Sequence, residues 1–446
     1  MLIEFKITNF RSIGDEQLLN MMPSTKHKDY LDNILKAGKY EALNAVVLYG
    51  ANASGKSNIL RAFDILDELV HTSARNNSMA ELSYTPFLLK EGYDQKPTSF
   101  EITFVVENMR YRYGVSYHKT AIVSEYLYRK GVSREVYLFL RDGDTIDASS
   151  AFSASSKLVD IAIEATRENA LFLSVADMFN IPEAKKILAW FQKLNSMDGL
   201  NTEEMEKIRT LHLFQNANYQ QHIKQYLTAL QLGFFDVSVE QLNFSPNDLP
   251  ADMDDEQKKH LIHIFSGKKQ LVPQTSHYVY NAQNQKTANI RTWGLNEYES
   301  RGTQKAFEWS GPIIYTLQKG GILIVDEIEA KMHPILTLNT INLFLNKETN
   351  PNNAQIIFAT HDTNLLSYAD LRRDQINFVE KNKWESTELY ALSDFKYFNE
   401  KGETSKERID SDKEKRYLEG RYGAIPMLGN FIKNLKINHG ETRQSN

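Results

Sequence analysis

Gly50-Ala51-Asn52-Ala53-Ser54-Gly55-Lys56-Ser57 is a glycine-bounded loop that ends in Lys-Ser. It satisfies G-x₄-G-K-[ST], and its flanks are the ones that pattern requires. Leu43–Tyr49 (LNAVVLY) reads as a buried strand before it, and Ser57–Val70 repeats apolar residues at helical spacing after it. Glycines in such a loop let successive backbone N–H groups turn inward around phosphate oxygens, and the helix beginning near Lys56 adds its positive dipole end. Lys56 is expected to reach the β and γ phosphates of ATP and Ser57 Oγ to ligate Mg²⁺, with Asn58 continuing the nucleotide-binding run. An ordinary Gly/Ser turn is the bland alternative, and the strand and helix in register argue against it.

Working outward, Gly320-Gly321 leads into the apolar run Ile322–Val325, which stops at Asp326-Glu327. An acidic pair at the carboxyl end of a buried strand sits where ligands bind in an α/β sheet. Asp326 is expected to hold Mg²⁺ and Glu327 to polarise the attacking water, the alternative being an acidic helix cap. After a helix at Pro334–Leu345, a second apolar strand, Gln355–Ala359, ends in Thr360-His361-Asp362. His361 is placed to approach the γ phosphate from the side opposite Lys56. His333-Pro334 is open between an interface role and a simple helix start, because proline suits the first helical position. Ser300-Arg301-Gly302-Thr303, shortly before the acidic strand, opens a helix at Lys305–Leu317 despite Gly311-Pro312, and small residues at a helix start make a second anion site.

Length and composition set the limits. The 446 residues, 41% hydrophobic and 11% aromatic, suffice for a large core. A formal net charge of −5 leaves nucleic-acid contact to local patches such as Lys258–Lys269 and Lys413–Arg421, each interrupted by acids or apolar residues. No apolar run is long enough to span a bilayer, and Met1–Asn20 alternates in polarity, so a cytoplasmic protein without a membrane partner is expected. The absence of cysteine excludes disulfides and thiolate metal sites.

The organisation expected is a first lobe at 1–155, rich in antiparallel strands; a helical and irregular insertion at 156–276; a second, α/β lobe at 277–395; and a tail at 396–446 packed on the head. Phe100–Val106 with Tyr111–Tyr117, and His277–Thr292, read as hairpins. Within the insertion, Pro182–Leu194 and Thr202–Leu232 read as helices separated by a polar turn, Asn195–Asn201.

Glu299-Ser300-Arg301-Gly302-Thr303-Gln304 resembles a degenerate form of the LSGGQ signature of ABC ATPases, with Glu299 for the leucine and Arg301 for one glycine. In those proteins the signature touches the γ phosphate held by the other subunit, so the resemblance implies a homodimer of heads or a higher oligomer, with Ser300, Arg301, Gly302 and Thr303 acting in trans. The order phosphate loop, signature, acidic strand (Walker B, Ile322–Glu327), histidine is similar to an α/β ABC-type P-loop head. Thr8-Asn9-Phe10-Arg11-Ser12 and Asp326-Glu327-Ile328-Glu329 followed by His333-Pro334 resemble the SMC, RecF and OLD group, which implies a place for Arg11 beside the phosphates. Glu299–Thr303, Leu392–Phe395 and Gly420–Pro426 resemble the ATP-binding proteins of bacterial phage-defence operons, of the RloA/AbiL type and the ATPase of PARIS. That resemblance implies an ATP hydrolase that senses a trigger such as a phage protein and regulates a separate TOPRIM-type nuclease. The alternative is a RecF-like, DNA-binding repair ATPase. OLD-type proteins continue into a TOPRIM domain, for which too little chain follows His361, and Asp410-Ser411-Asp412 reads as a solvated acidic turn. The glutamine of an ABC Q-loop has no clear match; Gln95 is a candidate by location alone.

Overall fold

Alternation along the strand Ala45–Tyr49 sorts its side chains between two cores, because successive residues of a strand point to opposite faces. Val46 and Leu48 enter one core, and Ala45, Val47 and Tyr49 the other. The neighbouring strands Ile322–Asp326 and Gln355–Ala359 divide in the same way, so the sheet they form is buried on both faces and its strands read as continuous apolar runs. The computed structural model describes residues 1–131, 134–152, 155–200, 203–243, 254, 258–259, 269–398, 404–406 and 411–426. Most of Lys258–Lys269, and Asp410 of the acidic turn, lie outside the described residues.

The central sheet has six strands in the order Leu194–Asp198, Ile322–Asp326, Gln355–Ala359, Ala45–Tyr49, Ile376–Lys381 and Thr387–Ala391. All neighbours are parallel except the last pair. Phosphate-loop strand, acidic strand and histidine strand therefore end at the same edge, where an open α/β sheet binds its ligands. On the first face the helix Lys56–Thr72 is sandwiched against a seven-stranded antiparallel sheet that contains the hairpin Thr98–Val106/Met109–Tyr117. Phe63 of that helix meets Phe5 of the antiparallel sheet with ring centroids 4.0 Å apart. On the second face lie the helices Arg301–Lys319 and Pro334–Leu345.

The signature helix runs through Pro312 without stopping. Proline lacks the N–H that would bond the carbonyl four residues back. Thr210 supplies the missing donor: its Oγ1 donates to Glu308 O at 2.6 Å and accepts from Gly311 N at 3.1 Å.

The stretch expected as one insertion, 156–276, does not pack as one body. Its first helices, Ser156–Glu164, Phe172–Met178 and Pro182–Phe191, bury their apolar faces in the first core, where Trp190 stacks on Phe104 at 3.9 Å. The supposed polar turn is instead the edge strand Leu194–Asp198 of the central sheet. It reads as polar because an edge strand buries little: Asn195 and Met197 turn inward, and Asn195 Nδ2 is satisfied by Lys193 O and Thr316 Oγ1. Thr202–Leu232 is broken into Glu203–Phe214 and Ala217–Ala229, capped at Asn216, and both helices pack on the signature helix. Asp236–Asn243, Lys269–Tyr280 and Lys286–Gly294 form a separate three-stranded antiparallel sheet, which contains the second hairpin. In the tail, Tyr417, Tyr422 and Ala424 enter the second core. Among the described residues, no helix is long and apolar enough to cross a membrane.

Candidate nucleotide site

The phosphate loop is held from outside by a relay of hydroxyls. Asn58 Nδ2 donates to Ser12 Oγ (2.7 Å), Ser12 and Thr387 hydroxyls lie 2.8 Å apart, and Thr387 Oγ1 donates to Ser54 O (2.8 Å). Gly55 adopts φ 111°, and a Cβ there would fall 2.1 Å from Thr387 Oγ1, so both backbone shape and close approach demand glycine. Lys56 is buried and its ammonium donates to the loop's own carbonyls, Gly50 O at 2.8 Å and Ala51 O at 3.2 Å. Burial pushes its pKa down, while Asp326, Glu327 and Glu329 pull it back up. These two carbonyl contacts are ones that phosphate oxygens can replace.

Lys56, Ser57, Asn58, Asp326, Glu327 and His361 line one cavity of about 450 Å³ together with the loop residues Asn52, Ala53, Ser54 and Gly55. Gly50 and Ala51 reach it only through their carbonyls on Lys56. The acidic pair caps no helix. The next helix starts at Pro334, and its cap is His333, whose Nδ1 accepts from Ile335 N at 3.2 Å. Asp326 Oδ1 is buried and, among the described residues, has no hydrogen-bond partner. An orphaned carboxylate oxygen on the cavity that Ser57 also lines suits a hard, oxygen-seeking cation such as Mg²⁺. Glu327 sits at φ 50°, and its carboxyl pKa is raised by burial and then by Asp326, Glu329 and Asp198.

Gly199 presses on this corner. Its N–H donates to Asp326 O at 2.8 Å, and a Cβ on it would stand 2.2 Å from Glu327 O. Lys305, buried in the first turns of the signature helix, donates its ammonium to Gly199 O. Glu329 fixes the histidine turn: Oε1 accepts from His361 N and Oε2 from Thr360 Oγ1, both at 2.7 Å. Burial and the nearby Lys56 charge lower the His361 pKa, which favours a neutral ring.

A second cavity of about 460 Å³ shares Ser57, Asn58, Asp326 and Glu327 with the first and adds Arg11, Arg61, Asp64, Ser196 and Asp198. Arg11 Nη1 donates to Asn58 Oδ1 at 3.3 Å. Ser300, Arg301, Gly302 and Thr303 line neither cavity. Ser300 caps the helix Arg301–Lys319, its Oγ accepting from Thr303 N at 3.2 Å, while Arg301 Nη1 donates to Gln304. Gln95 lines neither cavity and bonds its neighbour Asp94. Sequence reasoning missed Thr387, Gly199, Asp198 and Asp64, and it gave no role to Glu329. Only Glu329 carried a local signal, as the last acid of Asp326-Glu327-Ile328-Glu329.

A family model described as "AAA domain, putative AbiEii toxin, Type IV TA system" matches residues 45–367. Among solved structures, the chain is similar to the SMC head domain from Thermotoga maritima, at 12% identity over 87% of this chain and 98% of that one, with a TM-score of 0.40. It is similar to an SMC head bound to the C-winged helix domain of ScpA, at 11% identity over 87% and 97%, with a TM-score of 0.42. The recombination mediator protein RecF-ATPrS of the RecFOR pathway aligns at 12% identity over 87% and 98%, with a TM-score of 0.31. No curated protein matches the chain. The fold is mixed α/β with several sheets, and its motifs lie on the six-stranded central sheet, beside a seven-stranded antiparallel one.

Proposed function

The chain belongs to the family described as AAA domain, putative AbiEii toxin, Type IV TA system, and on that premise we propose that it is an ATP hydrolase whose two copies close around ATP. The observation that carries this reading is the convergence of Lys56, Ser57, an unpartnered Asp326 oxygen, Glu327 and His361 on one cavity at the carboxyl edge of the central sheet. Lys56 exchanges its loop carbonyls for β and γ phosphate oxygens. Ser57 and Asp326 would hold Mg²⁺, which would neutralise phosphate charge. Glu327 accepts a proton from the attacking water as the water oxygen bonds the γ phosphorus, and the bond to the bridging oxygen breaks to release ADP. The neutral His361 ring donates to the γ phosphate, with Glu329 holding its backbone in place. Arg11, fixed through Asn58, lies on the neighbouring wall.

Neither cavity contains the signature residues, which supports their use in trans: Ser300, Arg301, Gly302 and Thr303 of one copy complete the site of the other. ATP then acts through the balance of open and closed heads. We further read the protein as the regulatory half of a two-component antiphage system in the cytoplasm, controlling a separate effector of the TOPRIM nuclease class. The toxin–antitoxin name of the family and the resemblance of Glu299–Thr303 support this. Lys56→Ala and Glu327→Gln test the hydrolytic reading together. Lys56 meets phosphate charge in the ground state, so its loss weakens ATP binding; Glu327 serves the water, so Glu327→Gln binds ATP normally and stalls. Parental turnover by Glu327→Gln refutes the assignment.

A further inference from the structure

The signature turn is tied to the separate three-stranded sheet through one carboxylate oxygen. Glu299, immediately before Ser300, has a side chain 10% exposed. Its Oε1 meets Thr275 Oγ1 at 2.7 Å, His277 Nε2 at 3.0 Å and Trp293 Nε1 at 3.0 Å. Thr275 and His277 lie on the strand Lys269–Tyr280, and Trp293 faces Thr275 across the next strand. The His277 and Trp293 rings stack at 4.1 Å, so these donors form a preassembled cradle. The backbone of the same residue reaches the other way: Glu299 O accepts from Gln304 Nε2 at 2.8 Å, in the first turns of the signature helix.

A helix start needs only its cap, and Ser300 already provides one. Three donors converging on an almost buried carboxylate are more than a cap requires, and hydrogen bonds to a charged group are the strong ones. We propose that Glu299 is a positioning residue for ATP turnover: it locks the turn Ser300–Thr303 to the sheet, so that the signature meets the partner's phosphate in one fixed geometry. This rests on the reading of Ser300–Thr303 as a contact made in trans. Glu299 touches no phosphate itself. Its loss lets the turn take several orientations, and closure of two heads must then select one of them at a cost in apparent affinity.

The test compares Glu299→Ala, Glu299→Gln and Trp293→Phe, the last of which removes the indole donor and leaves an aromatic ring facing His277. Specific ATPase activity is measured against protein concentration, and ATP binding is measured separately below the concentration at which chains associate. In Glu299→Ala, which removes all three contacts, the half-maximal protein concentration rises about tenfold or more, the size expected for even one charge-assisted contact. Glu299→Gln and Trp293→Phe show smaller rises in the same direction, and ATP affinity of the single chain changes less than about twofold in all three, since the phosphate loop is untouched. A role confined to folding would lower the melting temperature and leave the half-maximal concentration unmoved, and that result in Trp293→Phe and Glu299→Gln overturns the proposal. If activity of the parent chain does not depend on protein concentration, the reading of a shared site fails, and this proposal with it.

Discussion

Gly199→Ala should damage turnover without touching the phosphate loop. The added methyl would stand 2.2 Å from Glu327 O and 2.9 Å from Asp326 O. Carbon and oxygen cannot approach so closely, and the edge strand and the acidic strand must part by about 1 Å to regain ordinary contact. Neither side yields easily, because Gly199 N is bonded to Asp326 O and Gly199 O receives the Lys305 ammonium. Overpacking of this kind costs about 1–3 kcal/mol of stability. The kinetic effect is larger in proportion, since a shift of about 1 Å in a catalytic group costs about 10²-fold. Phosphate release at saturating ATP should therefore fall about 100-fold, while binding of a fluorescent ATP analogue stays within about twofold of the parent. Circular dichroism would verify the fold. Turnover within twofold of the parent, in a folded protein, would refute the claim that this corner sets the position of Glu327.

Asp198 is one of the carboxylates that raise the Glu327 pKa, so Asp198→Asn should lower it. Because the base must be ionised, the acid limb of kcat/KM moves to lower pH in that variant, and an unchanged or upward-moving limb argues against Glu327 as the titrating group. The purified chain with Mg²⁺ or Mn²⁺ should leave plasmid DNA, RNA and tRNA intact, as a regulator of a separate effector would. Cleavage abolished by changing Asp410 and Asp412 would reverse that reading, and steeply salt-dependent DNA binding would favour a repair role.

Local pattern carries information where one segment dictates its own structure. The loop Gly50–Ser57, the strand before it and the helix after it needed no distant partner to be read, and neither did the strand–acid and strand–histidine junctions. The helix Pro334–Leu345 was legible from Pro334 to its end. What escaped depends on contacts between distant segments. Leu194–Asp198 is a strand only because it joins Ile322–Asp326, and by itself its polar residues read as a turn. Thr387 supports Ser54 from far along the chain, and Gly199 is marked as special only by Glu327 O lying against it. The apparent insertion looked like one helical unit because each helix is amphipathic, and amphipathicity does not say which core receives the apolar face.

Complementation shows whether the nucleotide is shared between two copies of the chain. Lys56→Ala destroys a phosphate loop and leaves the signature; Ser300→Arg blocks the signature and leaves the loop. Each should be inactive alone. Mixed, they form heterodimers in which one of the two composite sites is intact, and equal mixing should restore about a quarter of parental activity if the sites turn over independently. No recovery, with heterodimers demonstrated by differential tagging, would contradict a shared site.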